Sequence, residues 1–443
     1  MQKLSYEKLL KLLESEDLQN INDEINTQHP GDIASVINEL PSEYQITVFK
    51  LLNDEVASDV LPDLFDDVRE EILENLQQTR LVKIIDEMES DEAADIISEL
   101  DEEVSKEVLE KIDDEDSQEI KQLLAYDEES AGGLMQTEII AVNKNMQRDE
   151  MIDYIRENYE DVENIHYAFV TDDDEKLIGI LHITQLLLAK PDLKAYELMD
   201  KKVISAEVNL DQEEVAHLFR KYDIYILPVV DKENRLLGRI TVDDIIDVID
   251  DEASEDAYKM VGLDNEDKVF TTPLSSVRKR LPWLTLNLFT ALLVSSVVGI
   301  FEDTIARLSF LAVLMPIVAG LGGNSGTQTL TVITRGIAMG ELTIRNTGKA
   351  IFKEITVGVV NGIIIGSCAM LIAYFLKGNI MLGVVLGAAM IVNMFIAGLV
   401  GSLIPVIIKS LKFDPALASG VLITMLTDIG GFASFLGLAT LLL

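Results

Sequence analysis

The stretch Met315–Ile333, MPIVAGLGGNSGTQTLTVI, places small and polar residues inside an apolar segment. Its polar members are Asn324, Ser325, Thr327 and Gln328, and its glycines are Gly320, Gly322, Gly323 and Gly326. Lipid offers polar side chains no hydrogen-bond partners, so such residues usually face a bundle interior or a wet cavity. Small residues also let helices approach closely. The stretch therefore predicts a membrane helix that forms either a tight helix–helix contact or part of a conduction path.

Further apolar segments lie on both sides of this stretch. We predict five spans, at about 282–301, 309–333, 351–376, 380–408 and 416–442. Each is long enough to cross a hydrocarbon core of ~30 Å. Basic residues precede the first span, at Arg278, Lys279 and Arg280, and recur between the second and third. The positive-inside rule then predicts a multi-pass protein of the cell membrane with a cytoplasmic N-terminus and its C-terminus outside.

Negative charge is concentrated before the spans. The chain of 443 residues has a net charge of −41, yet residues from Thr271 onward hold 11 Lys and Arg against 6 Asp and Glu, which leaves −46 for the first 270. Such acidity argues against nucleic acid as a partner, because phosphates require Lys and Arg. It favours the binding of cations, with a merely solvated or halophilic surface as the alternative.

Two further features of the sequence exclude certain kinds of site and indicate the compartment of the acidic part. Cys368 is the single cysteine, which excludes an intrachain disulfide and a cysteine-based zinc site. The first ten residues, MQKLSYEKLL, contain no apolar core of signal-peptide length. We therefore expect the acidic part of the chain to stay in the cytoplasm.

Residues 1–126 are predicted to form an acidic helical domain. Apolar residues follow helical spacing, as at Ile33, Val36 and Ile37. A loose pattern places Asp32, Asp54 and Asp91 at the starts of helices, where we expect them to act as N-caps. The recurrence indicates stacked short helices in a superhelical array.

Residues 127–250 contain an internal repeat, with copies at about 127–195 and 196–250. In each copy a buried strand leads through a turn to a second strand with a central glycine, Gly179 or Gly238, and then to a helix. The copies resemble a tandem CBS-domain pair, whose α/β modules often bind adenosine compounds. The second copy matches the ribose-contacting pattern of that family at Gly238, Thr241 and Asp244. The alternative for Thr241 and Asp244 is an ordinary helix cap.

An acidic helix is predicted to follow the repeat and to continue into a connector at 251–275. Its acidic residues are Asp243, Asp244, Asp247, Asp250, Asp251, Glu252, Glu255 and Asp256, and no basic residue occurs between Arg239 and Lys259. Like charges at i,i+3 and i,i+4 repel one another. Divalent cations would compensate that repulsion, which favours metal binding over a solvated face.

Two acidic residues accompany the last predicted span. Asp428 lies within it, where a carboxylate costs several kcal/mol and usually has a function. A cation is its expected counter-charge, and a hydrogen-bonded tie between helices is the alternative. Asp414 lies at the inner end of the span, where it could also act as a cap.

These parts, in this order, resemble the MgtE family of magnesium channels and transporters. The matching motifs are AGGLM at 131–135, GGNSGTQ at 322–328, and DPALASG at 414–420 followed by Thr427 and Asp428. The resemblance implies a homodimer with a pore on its two-fold axis, lined by the second and fifth spans in a five-helix domain at 276–443. It also implies that the connector acts as a plug helix, that Mg²⁺ is both transported and regulatory, and that ATP is a candidate ligand of the CBS pair.

The resemblance also assigns candidate residues. It places Asp428 in the pore and makes Asn324, Gln328, Gly420 and Thr424 pore-lining. It assigns regulatory Mg²⁺ to Asp91, Asp95, Asp244, Asp247, Glu255, Asp256 and Asp414. A transporter of another divalent cation or of a small solute is the nearest rival. An enzyme is disfavoured, because the sequence contains no nucleophile–base pair and no phosphate-cradling loop. A nucleotide sensor anchored to the membrane would leave Asp428 unexplained.

Overall fold

The computed structural model describes residues 6–15, 18–159, 166–263, 267, 269, 271–343, 345–417 and 420–443. Ala418 and Ser419 of the DPALASG motif lie outside these ranges, as does part of the linker predicted at 251–275. The chain divides into two compact units, Met1–Val248 and Ile249–Leu443.

The first unit begins with short helices. They are α1 (Tyr6–Glu14), α2 (Leu18–Ile25), α3 (Pro30–Glu39), α4 (Ser42–Phe49), α5 (Asp54–Val60), α6 (Asp66–Asn75), α7 (Gln78–Asp86), α8 (Ser90–Ser98), α9 (Glu102–Leu109) and α10 (Asp114–Leu123). Helices two apart in sequence pack together, as α3 does with α5, α5 with α7 and α8 with α10. This stacking is that of the predicted superhelical array.

The predicted N-caps of the array are wrong by one to three positions. Asp32, Asp54 and Asp91 lie inside the first turns of α3, α5 and α8. The capping positions belong to His29, Asn53 and Glu89, whose backbones are extended. An N-cap requires that non-helical backbone, whereas an acid in the first turn still interacts favourably with the helix dipole.

The repeat forms two sheets of the same topology. The first contains β1 (Ala141–Asn143), β2 (Tyr167–Thr171) and β3 (Leu177–His182), and the second contains β4 (Ala206–Glu207), β5 (Ile226–Val230) and β6 (Leu236–Thr241). In each sheet the central strand is parallel to one neighbour and antiparallel to the other. Gly179 pairs with Val170, and Gly238 pairs with Val229 in the equivalent register. The predicted strand–turn–strand–helix repeat is confirmed.

Helices flank these sheets, and one of them leads out of the first unit. The flanking helices are α11 (Arg148–Asn158), α12 (Ile183–Leu188), α13 (Ala195–Leu198) and α14 (Gln212–Tyr222). Helix α15 (Val242–Met260) starts directly after β6 and continues without a break into the second unit. All eight acidic residues predicted for the connector region therefore lie on one helix.

Within the described residues, five helices are long and apolar enough to cross a membrane. They are α16 (Pro273–Gly299), α18 (Phe310–Ala338), α19 (Thr347–Lys377), α20 (Ile380–Ser410) and α21 (Gly420–Leu442), with a short helix α17 (Glu302–Arg307) between the first two. A 3-10 turn at Pro415–Leu417 precedes α21. Small residues join α19 to α20: a Cβ on Gly366 would lie 2.7 Å from the Gly387 carbonyl oxygen. Such close backbone approach is typical of membrane helix pairs.

Candidate metal centres and ion path

A row of polar and small residues follows one face of α21. Gly420, Thr424 and Asp428 are spaced four apart, so they lie one above another along the helix. The Thr424 side chain is exposed, and Gly420 and Asp428 are half-buried. The predicted pore residues of the last span therefore share one face.

Helix α18 carries a second polar row, formed by Asn324 and Gln328, both exposed. The two rows lie on helices that pack together. A Cβ on Gly323 would lie 3.6 Å from Thr424 Cγ2, and one on Gly420 would lie 3.9 Å from Thr327 Oγ1. The α21 row thus lies against Gly323 and Thr327, the residues directly before Asn324 and Gln328 on α18.

The Asp428 carboxylate has an unsatisfied atom. Its Oδ1 is buried and has no hydrogen-bond partner among the described residues. An ionised carboxylate in an apolar setting needs a counter-charge or donors. The donor chemistry and the orphaned oxygen fit a cation as the missing partner.

The first unit contains a separate group of carboxyls. Asp91 is buried, Glu92 and Asp244 are half-buried, and Glu89 and Asp95 are exposed. Burial, followed by repulsion from Asp244, raises the pKa of Asp91 well above its usual range. Burial and the nearby Glu138 raise the pKa of Glu89 to about 7, and burial and Glu89 raise that of Glu92 to about 8. These shifts arise from burial first and from repulsion between the carboxyls second, and a bound cation would offset both.

Asp95 and Asp244 belong to the same acidic group. Burial and Glu128 raise the pKa of Asp95 to about 6, against a lowering by Arg69. Burial raises the pKa of Asp244, and neighbouring Asp243 and Asp247 raise it further. The structure therefore brings four predicted regulatory residues, Asp91, Asp95, Asp244 and Asp247, into one electrostatic neighbourhood.

An acidic cavity of about 380 Å³ lies beside this group. Its charged lining consists of Arg69, Glu92, Asp95, Glu99, Glu128 and Glu129. Arg69 already pairs with Glu99 at 2.5 Å and with Asp66 at 3.2 Å. One arginine against five carboxyls leaves the cavity electronegative, which suits a cation.

Across the described ranges, no three His, Cys, Asp or Glu side chains converge on a point that could hold a metal ion. The described residues therefore contain no preformed centre with a complete set of protein ligands. Mg²⁺ does not require such a set, because it keeps several waters and is usually held by one or two carboxylates. The acidic group around Asp91 fits a hydrated Mg²⁺ better than an ion that requires a complete protein cage.

The candidate nucleotide residues have structural roles of their own. The Thr241 hydroxyl and backbone N–H donate to Asp244 Oδ2 at 2.6 and 3.1 Å, which caps the start of α15. A Cβ on Gly238 would lie 2.5 Å from the Gln136 carbonyl oxygen, so this strand position requires glycine. The helix-cap alternative is therefore present in the structure, whether or not a nucleotide also binds.

In the second unit, the remaining predicted regulatory residues surround Lys259. Its ammonium contacts Glu255, one helical turn earlier, and Asp414 Oδ2 at 2.8 Å. Burial raises the pKa of nearby Asp256 to about 6, and the charge of Asp414 adds to that shift. Asp414 Oδ1 also accepts from the Ala416 N–H at 2.8 Å, so Asp414 caps the 3-10 turn.

The structure places two polar groups inside the spans that the sequence interpretation did not single out. Glu354 on α19 is only 4% exposed, pairs with Lys353 at 2.5 Å and lies 3.4 Å from Thr329 Oγ1. Asn393 on α20 is fully buried and donates to the Val318 carbonyl of α18 at 2.8 Å. Both residues could have been identified from the sequence, because each is a polar residue within an apolar run.

Comparison with known protein families accounts for most of the chain. Residues 315–438 match a model described as a divalent cation transporter, residues 28–129 match the MgtE intracellular N domain, and residues 131–192 and 195–251 each match the CBS domain. These matches cover the repeat, the helical array from α3 onward, and most of the last four membrane helices.

Individual proteins agree with those matches. The chain is 38% identical over 323 residues to the magnesium transporter MgtE of Enterococcus faecalis, which covers 72% of this chain and 71% of that protein. It is 36% identical to the protein of the same name from Thermus thermophilus, over 72% of each chain. A solved structure of the cytosolic domain of the Mg²⁺ channel MgtE in complex with ATP matches 55% of this chain and all of its own, at 34% identity and a TM-score of 0.53.

Proposed function

The chain belongs to the MgtE family of magnesium transporters, and from that premise we propose that it is a Mg²⁺ channel for uptake, closed by cytosolic Mg²⁺. The family is one of transporters and not of enzymes. The proposal concerns the conduction path, the direction of transport and the gate.

The observation that carries the proposal is the pair of polar rows on α18 and α21, two helices that pack together. Asn324, Gln328 and Thr424 are exposed on helices that are mostly apolar, and Asp428 lies on the same face as Thr424. Lipid cannot satisfy these groups, so they must face water or another protein surface. A second copy of the chain, related by a two-fold axis, would enclose a polar path between the paired faces.

A hydrated Mg²⁺ is the cation that this surface suits. Mg²⁺ sheds water reluctantly, and amide, hydroxyl and carboxylate groups can bind its hydration shell. Two Asp428 side chains across the axis would neutralise its charge. A negative-inside potential favours inward movement of a double charge by about 4.6 kcal/mol per 100 mV. With the cytoplasmic N-terminus and outside C-terminus that we propose, uptake would need no further energy source.

The carboxyls around Asp91 in the first unit support a Mg²⁺-dependent gate. Burial raises the pKa values of Asp91 on α8 and Asp244 on α15, and repulsion from Asp244 adds to the shift of Asp91. A Mg²⁺ between them would hold α15, the proposed plug helix, to the array. When cytosolic Mg²⁺ falls, the repulsion favours separation, so ion binding shifts the population toward the closed state.

Flux into proteoliposomes tests both parts of the proposal. Wild-type protein should carry Mg²⁺, and Mg²⁺ on the cytoplasmic face should suppress that flux. Asp428→Ala should abolish the flux, whereas Asp91→Ala and Asp247→Ala should conduct with weaker suppression. Undiminished flux in Asp428→Ala would contradict the pore assignment. Transport of another divalent cation or a solute without Mg²⁺ dependence would favour the rival transporter.

ATP is proposed as a second ligand, at the second CBS copy. The support is the likeness to an ATP-bound MgtE cytosolic domain and the presence of Thr241 and Asp244 at the start of α15. A carboxylate such as Asp244 can accept hydrogen bonds from ribose hydroxyls. Calorimetric titration with ATP should show binding to wild type and loss of binding in Asp244→Asn, and no heat in wild type would reject the site.

A further inference from the structure

Lys259 lies between carboxylates from two different elements. Its ammonium contacts Glu255 on its own helix, α15, and Asp414 Oδ2 at 2.8 Å just before the 3-10 turn. The side chains are only partly exposed, at 29% for Lys259, 15% for Glu255 and 36% for Asp414. The ammonium thus takes the bridging position that a cation would take between α15 and the entry to α21.

The charge of Lys259 is secured by its partners. A lysine is charged at neutral pH, and the two carboxylates beside Lys259 favour its charged form. No other basic residue occurs on α15, since the preceding one in sequence is Arg239. At this end of the helix a tethered cation therefore already contacts Glu255 and Asp414.

Backbone packing fixes the same end of α15. Gly262, at φ +73°, donates to the Lys259 carbonyl at 3.0 Å and lies against the Trp283 ring of α16. A Cβ on Gly420, the first residue of α21, would lie 3.2 Å from the Met260 carbonyl oxygen. These contacts require no metal ion.

We propose that the Lys259 ammonium is a built-in competitor of Mg²⁺ for Glu255 and Asp414. With no metal bound, it anchors the C-terminal end of α15 to the 3-10 turn. Mg²⁺ reaches these two carboxylates only by displacing it, so the response to low Mg²⁺ is carried by the acids nearer the start of α15. The effect on flux rests on the proposed gate, whereas the effect on metal binding does not.

Thermal unfolding of the full-length protein in detergent tests the metal-binding part. Without Mg²⁺, Lys259→Met should unfold at a lower temperature than wild type, because two carboxylates lose the ammonium between them. Saturating MgCl₂ should then raise its unfolding temperature by more than it raises that of wild type. Lys259→Gln, which keeps a polar side chain, should behave in the same way. Lys259→Arg should stay near wild type because it keeps the charge. Lys409→Met, at an exposed lysine in the last turn of α20, is the matched control.

A second substitution separates competition from simple destabilisation. Glu255→Gln added to Lys259→Met should remove the extra stabilisation by MgCl₂, because one of the freed carboxylates is gone. Two results would overturn the inference. One is that MgCl₂ raises the unfolding temperature of wild type and of Lys259→Met by the same amount. The other is that the larger rise seen in Lys259→Met persists in the double variant.

Flux provides a second readout. Without cytoplasmic Mg²⁺, Lys259→Met should conduct roughly fivefold more than wild type, the factor for an ion pair of about 1 kcal/mol. At saturating Mg²⁺ the two should match. Absence of Mg²⁺ suppression in wild type would count against the proposed gate, and the unfolding measurements would still decide the inference. Suppression in wild type with unchanged metal-free flux in Lys259→Met would count against the anchor alone.

Discussion

The Glu138 carboxylate accepts hydrogen bonds from both the backbone N–H and the hydroxyl of Ser90, at 3.0 and 2.9 Å. Ser90 is the first residue of α8, and its hydroxyl oxygen accepts in turn from the Thr137 N–H at 2.9 Å. This exchange joins the helical array to the segment that enters the CBS pair. It does so without a metal ion, directly beside buried Asp91 and half-buried Glu92.

Glu138→Ala should destabilise the first unit by about 1–3 kcal/mol, because it leaves buried donors of Ser90 unsatisfied. Ser90 is only 6% exposed, so water cannot readily replace the lost acceptor. Thermal unfolding in the presence of a chelator measures the effect without a contribution from Mg²⁺. Glu70→Ala, at an exposed acid on α6, is the control and should leave the transition unchanged. If both variants unfold at the same temperature, the contact between Glu138 and Ser90 does not contribute to stability.

Stability without Mg²⁺ should fall as pH rises from about 4.5 to 8. Glu92, with a usual value of 4.5, has its pKa raised to about 8 by burial and Glu89, and the pKa of Glu89 is raised to about 7. A raised carboxyl pKa means that the folded state favours the protonated form. Its stabilisation is present below the unfolded-state value and is lost as pH rises through the folded-state value.

Melting temperatures measured across that pH range, in chelator and in MgCl₂, check this expectation. Mg²⁺ binds the ionised form, so MgCl₂ should flatten the decline. Glu92→Gln should flatten it in chelator as well, because the amide does not titrate. A decline that is equally steep with and without Mg²⁺ would argue against metal binding by these acids.

The glycines of α18 show why the sequence left two interpretations open. Gly322 and Gly326 meet other helices: a Cβ there would lie 2.1 Å from Asn393 Nδ2 and 2.5 Å from Ile423 Cγ2. A Cβ on Gly320 would meet no other described part of the chain within 4 Å, and Asn324 is exposed. Tight helix contacts and a polar exposed surface therefore occupy different faces of one helix. Sequence spacing marks the residues, but only packing assigns each face to its neighbour.

Local sequence patterns predicted the helices and strands, but they did not predict contacts between side chains that are distant in sequence. Apolar length predicted the membrane helices, and the repeat around Gly179 and Gly238 predicted the sheets. The contact between Lys259 and Asp414 joins residues 155 positions apart, which no local periodicity encodes. The pairing of Lys353 with Glu354 was missed because Lys353 could be assigned either to a basic inner loop or to the end of a span.

Gly322→Ala should destabilise the membrane unit by about 1–3 kcal/mol, because the added methyl group would overlap the Asn393 amide. Gly320→Ala, half a turn away, should be neutral or stabilising, since alanine is a better helix former than glycine by about 1 kcal/mol. Thermal unfolding in detergent, with size-exclusion profiles as a check on folding, compares the two. Similar losses in both variants would mean that α18 is equally crowded on both faces.

Asp428→Asn should lower Mg²⁺ flux by roughly tenfold or more and yet raise the melting temperature in Mg²⁺-free detergent. The isosteric amide removes a half-buried charge whose Oδ1 has no partner among the described residues, and relief of an uncompensated charge stabilises a protein. The same change removes the negative charge that would bind the cation. Asp303→Asn, at an exposed acid on α17, is the control and should change neither quantity. If Asp428 instead ties helices together through hydrogen bonds, the substitution should lower the melting temperature and leave flux nearly intact.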